Sequence, residues 1–130
     1  MLIVLFVLNK ELRSVAVCVI GNDGYSFPQG NNNYMESSDT AVVRIAKEQL
    51  GIELDKDRVK FVRKESSTVA NGKTCTINSI MTYLYEIHDG EISLDDSDYS
   101  WVEVSRVIDE LVDCNKYFEA AYLGEVCEVV

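Results

Sequence analysis

The stretch GNNNYMESSDTAVVRIAKEQLGI, from Gly30 to Ile52, decides how this chain folds. It follows a Phe27-Pro28-Gln29 lead-in and opens as a loop over Gln29–Glu36. Ser37, Ser38 and Asp39 then offer side-chain oxygens for the free backbone amides of a helix start. Gly51 provides the stop, because glycine adopts the left-handed backbone that ends a helix. With residues spaced about 100° apart, Val42, Val43, Ala46 and Leu50 gather on one side and are predicted to be core. Ile45, Glu48 and Gln49 occupy a second arc, with Arg44 at its edge. The segment is therefore a loop, a helix and a stop, with Glu36, Arg44 and Glu48 at fixed separations.

Outward from this stretch, the chain alternates strand and helix patterns. Leu2–Leu8, inside the apolar run Met1 to Leu8, reads as a buried β-strand: it is too short to span a bilayer and lacks the basic flank and cleavage site of a signal peptide. Val15–Ile20 reads as a second strand after a turn at Asn9-Lys10-Glu11. Gly21-Asn22-Asp23-Gly24 is a further turn, and Tyr25–Phe27 a short extended piece. Val59–Val69 and Thr74–Ile87 are strand-rich, with Asn71-Gly72 as a hairpin signal between them. Trp101–Val104 alternates as a short strand, and Val104–Val112 and Lys116–Val129 have helical spacing. This order predicts one α/β domain over residues 1–130, a mixed sheet sandwiched between helices.

Composition narrows the function. The 130 residues carry a net charge of −10, which removes any general electrostatic attraction to nucleic acid. A polyanionic ligand would need a local basic site or a bridging metal. Cys18, Cys75, Cys114 and Cys127 form no CxxC pair, so reduced thiols in a cytoplasm-like compartment are expected, with Cys18 as a buried thiol. His88 is the only histidine, which excludes a His-rich metal site.

Gly30, Glu36, Arg44, Glu48, Gly51 and Ile52 stand at the spacing G-x5-E-x7-R-E-U-x-E-E-x-G-U, with U a bulky aliphatic residue. The segment thus resembles the Nudix box. Trp101-Val102 resembles a further landmark of that family. The resemblance implies an α/β/α sandwich and a metal-dependent hydrolase that cleaves a pyrophosphate bond in a nucleoside diphosphate-linked substrate. It also implies Mg²⁺ or Mn²⁺, since a hard cation takes oxygen ligands and, on phosphate oxygens, offsets charge and orients the attacking water. The implied metal ligands are Glu48 and the backbone carbonyl of Gln29, with Gln49 offering a neutral amide oxygen. Asp95, Asp96 and Asp98, in the loop before Trp101, are replacement ligands or base candidates, although such a loop also reads as plain solvated surface. Glu48, Glu36 and Arg44 are the implied catalytic group, and the first reading of Glu36 with Arg44 is an ion pair that fixes the loop to the helix.

The sequence departs from the box at two acidic positions: Ile45 replaces the Glu after Arg44, and Gln49 replaces the last Glu. Two functions therefore compete. One is a pyrophosphohydrolase with a depleted metal site. The other is a Nudix-like module that has lost catalysis and binds a nucleotide, an RNA end or a protein. Phe27-Pro28-Gln29-Gly30 resembles the variant of RNA 5′-pyrophosphohydrolases and dinucleoside-polyphosphate hydrolases, which nominates Phe27, Gln29 and Gly30 for substrate binding. Tyr25, Tyr34, Phe61, Tyr83 and Tyr85 offer rings for a base, and Lys47, Lys60, Arg63, Lys64 and Lys73 offer charges for phosphates.

Overall fold

A computed structural model describes residues 1–20, 24–71, 74–111 and 116–127, with the side chains of all of these except 20, 67–71, 74–78 and 116–119. Gly72 of the hairpin signal, the turn residues 21–23, Lys73 and Cys114 lie outside the described residues, as does the side chain of Cys75.

The strand β1 (Leu2–Asn9) forms the spine of the sheet. It runs parallel to β6 (Thr74–Ile87) along its whole length, from Leu2 opposite Ile80 to Asn9 opposite Ile87. A parallel strand covered on both faces needs apolar side chains at every position, and MLIVLFVL supplies them. Ile3, Leu5 and Val7 enter one core with Tyr83, Tyr85 and Ile87 of β6. Val4, Phe6 and Leu8 enter the other with Ile80 and Leu84.

On its far side β1 has two partners in succession. Its end pairs with the start of β2 (Ser14–Ile20), Leu8 facing Val15. Its beginning pairs with β4 (Gln29–Asn31), Leu2 facing Asn31 and Val4 facing Gln29. β4 lies inside the segment expected to be loop. Beyond β2 come β3 (Gly24–Ser26) and β7 (Ser100–Glu103), and β5 (Val59–Asn71) closes the other edge as a hairpin with β6.

The helix α1 (Ser38–Leu50) covers the first core. The helices α2 (Val104–Asp109) and α3 (Lys116–Cys127) cover the second, through Val104, Val107, Tyr122 and Leu123. The architecture is the mixed-sheet α/β sandwich expected from the order of elements. Among the described residues no helix is long and apolar enough to cross a membrane.

The buried face of α1 differs from the one predicted. Ala41, Val42, Ile45, Ala46 and Leu50 are buried, while Val43 is only half-buried. The inward face is rotated toward Ile45 because β4 presents Gly30 beneath it. The Ile45 side chain lies in ordinary van der Waals contact with the space a Gly30 Cβ would fill, 3.5 Å from it.

Candidate functional site

The box loop is tied to α1 by one guanidinium. Ser37 caps the helix by accepting from the Thr40 amide at 3.2 Å, and Arg44 then projects from the second turn back over the loop. Its Nε donates to Glu36 Oε2 at 2.9 Å and its second terminal nitrogen to Glu36 Oε1 at 3.0 Å. That same nitrogen donates to the Asn31 carbonyl at 2.8 Å, and the remaining one to Glu48 Oε2 at 3.1 Å. Glu36 Oε1 also accepts the Asn33 amide at 2.9 Å. The hydrogen bonds from Arg44, then the one from the Asn33 amide, hold the Glu36 carboxyl below its ordinary pKa. The planar guanidinium fork makes this multidentate grip possible. Glu36, Arg44 and Glu48 are thus contiguous, in an ion-paired brace.

Gln49 reaches the lead-in. Its side-chain nitrogen donates to the Gln29 carbonyl at 2.7 Å, and its oxygen accepts the Gln29 amide at 3.3 Å. That oxygen also accepts the Tyr99 hydroxyl at 2.8 Å. Burial first, then the adjacent Cys18 sulfur and the Asp98 charge, push the Tyr99 hydroxyl well above its ordinary pKa and keep it a donor. Tyr99 was not singled out in the sequence. Its only mark there is its position between the Asp cluster and Trp101, and that loop meets the site through the phenol. Asp95, Asp96 and Asp98 are exposed. Cys18, expected to be buried, is half-exposed beside Tyr99.

The residues named for substrate contact are placed unequally. Phe27 is 1% exposed and packs on Phe6 with ring centroids 4.6 Å apart, so its ring belongs to the core and presents no face to a base. Gln29 turns its side chain back onto its own loop, donating to Ser26 Oγ at 2.8 Å and to the Phe27 carbonyl at 3.3 Å. Gly30 sits in β4 against Ile45. Of the aromatic candidates, Tyr25, Tyr83 and Tyr85 are buried, and Phe61 is exposed with its ring edge-on to Tyr83. Tyr34 is 94% exposed on the box loop. Lys60 and Arg63 pair with Glu86 and Glu125, and Lys47 with Glu53.

These donors do not fit the resident Mg²⁺ or Mn²⁺ that the resemblance implies. The Gln29 carbonyl and the Gln49 oxygen are engaged with each other's residue, Ile45 is buried, and one oxygen of Glu48 is held by Arg44. Among the described residues no three His, Cys, Asp or Glu converge as a metal cluster. A hard divalent cation needs several oxygen ligands at once, and this arrangement offers one carboxylate.

No family model matches the sequence, and no curated protein matches it. Its backbone, however, superposes on solved structures over nearly its whole length. A dihydroneopterin triphosphate pyrophosphohydrolase from E. coli aligns with a TM-score of 0.73 and 12% identity, covering 99% of this chain and 95% of that one. A structure from the MutT pair of Aliivibrio salmonicida and Vibrio cholerae aligns with a TM-score of 0.68 and 15% identity, covering 95% and 94%. The NUDIX domain of Shewanella oneidensis NrtR, complexed with ADP ribose, aligns with a TM-score of 0.64 and 13% identity, covering 95% and 84%. At these identities the likeness is one of fold: the chain has the Nudix fold.

Proposed function

We propose that this Nudix-fold chain binds a nucleoside diphosphate linked to a further group, on the surface formed by the box loop and the start of α1, without rapid turnover. The observation that carries this reading is the contrast within the box. The brace of Arg44 to Glu36, Asn31 and Glu48 is complete, whereas the positions that would gather a cation's charge hold buried Ile45 and the engaged amide of Gln49. The names of the structural neighbours, a pyrophosphohydrolase and a NUDIX domain complexed with ADP ribose, support the ligand class. Tyr34, in the loop between Asn33 and Glu36, exposes its ring to solvent, and an open aromatic face is a platform on which a base can stack. A net charge of −10 favours a ligand that arrives as its magnesium complex, with part of its charge already offset.

The second reading is a metal-dependent pyrophosphohydrolase with a depleted site. Glu48 favours it: the side chain is 59% exposed and its Oε1 accepts no hydrogen bond among the described residues. Calorimetric binding and hydrolysis should be measured together, with Mg²⁺ or Mn²⁺, on one panel. The panel comprises dinucleoside polyphosphates, NADH, ADP-ribose, nucleotide sugars, nucleoside triphosphates and 5′-triphosphate RNA. The expected result is saturable binding of at least one member, weakened by Tyr34→Ala, with turnover far below the ~10 s⁻¹ typical of enzymes. Turnover near that value would transfer the conclusion to the hydrolase. Binding of no panel member would sink both readings.

A further inference from the structure

We infer that the side-chain amide of Gln49 takes the place of a metal ion at this site, so that the loop is shaped without any cation. The inference goes beyond nucleotide binding and does not depend on it. It starts from the two backbone groups of Gln29. In the β1–β4 ladder Gln29 lies opposite Val4, next to the pair in which the Leu5 amide donates to the Pro28 carbonyl. Its own N–H and C=O therefore point away from β1, and both meet Gln49. The side-chain amide therefore acts as one more peptide unit at the open edge of β4.

The polarity of that amide is fixed by its partners. The Gln29 N–H must meet an acceptor and the Gln29 carbonyl must meet a donor, which sets the nitrogen on the carbonyl side at 2.7 Å. In this orientation the Tyr99 hydroxyl donates to the same amide oxygen at 2.8 Å and adds a third contact. A glutamate at position 49 would bring a carboxylate oxygen against the Gln29 carbonyl oxygen. Two acceptors at that separation repel unless something positive lies between them, and a hard cation between a carboxylate and a carbonyl does that. Glutamine provides the positive end of its own dipole there. Gln49 thus stands for a carboxylate and its cation together, and Tyr99 is a positioning residue that holds it.

Mn²⁺ alone is a sufficient probe. In the full chain, amide NMR signals of Gln29 and Gly30 are followed as Mn²⁺ is added, alongside thermal melting in EDTA and in Mn²⁺. The unmodified protein should melt at the same temperature in both and show no selective broadening of those two signals. Gln49→Glu should melt lower in EDTA and recover in Mn²⁺. Its Mn²⁺ affinity should rise at least tenfold, roughly the scale of one supporting group at a metal site. Gln49→Met, which removes all three of its hydrogen bonds without adding charge, should melt lower and gain no response to Mn²⁺. Tyr99→Phe should lower the melting temperature less than Gln49→Met does. Selective broadening of Gln29 and Gly30 at stoichiometric Mn²⁺ in the unmodified protein would overturn the inference, and it needs no variant to fold. So would a Gln49→Glu protein that melts normally in EDTA and ignores Mn²⁺.

Discussion

Ile45 is the residue at which sequence and structure part most clearly. By periodicity it sits on the polar arc, where it looks like a lost catalytic acid. In the fold it is 1% exposed and rests against Gly30. Restoring an acid there is therefore not a simple gain of function. With no cationic partner at hand, Ile45→Glu should destabilise the fold by about 3–5 kcal/mol, the cost of an uncompensated buried charge, read as a shift of the urea midpoint. A midpoint unchanged from the parent would mean that the side chain escapes to solvent and that Gly30 does not cover it. Glu36 allows a different test. Its pKa is lowered in the folded state by Arg44 and the Asn33 amide. Its contribution is therefore complete above the ordinary glutamate value, about pH 4.3, and fades as pH falls through the lowered folded value. Glu36→Gln should melt below the parent at neutral pH, and the gap should close on acidification below about pH 4. A gap that persisted there would show that the ionic brace is not its source.

At the scale of elements, α1 was legible almost to the residue, because its signals are local. Ser37 accepts the Thr40 amide, and Gly51 has φ 69°, with its amide bonded to the carbonyls of Ala46 and Lys47. No atom lies within 4 Å of a Cβ placed on Gly51, so Gly51→Ala meets no collision and pays only for the left-handed backbone. The expected loss is about 1–2 kcal/mol, seen as a lower melting temperature with the rest of the spectrum unchanged. What the sequence could not disclose depends on distant partners. Gln29–Asn31 has no strand pattern of its own and is extended because β1 pairs with it. Val43 and Ile45 are both apolar, so periodicity alone could not choose between them until the position of Gly30 was known. Tyr99 joins the site through a hydrogen bond to Gln49, fifty positions away in the chain, and no short motif encodes that contact. The box spacing revealed the Glu36–Arg44–Glu48 constellation, but not that its neighbour Gln49 would be turned onto the backbone of Gln29.

For the whole molecule, the pairing of β1 with β6 sets a schedule. Leu2–Asn9 is apolar at nearly every position, yet its full-length partner is Ile80–Ile87, and the helices α2 and α3 that cover one of its faces are made later still. Contacts this far apart in sequence carry a large loop-closure cost and slow the search for the native fold. A ribosome adds about 5–20 residues each second, so β1 waits several seconds after its own synthesis before β6 exists. During that wait one edge of this uncharged, β-prone segment is open, and such a segment can pair with copies of itself. The strand that anchors both cores in the finished protein is, while the chain is being made, the part most in need of a chaperone's cover.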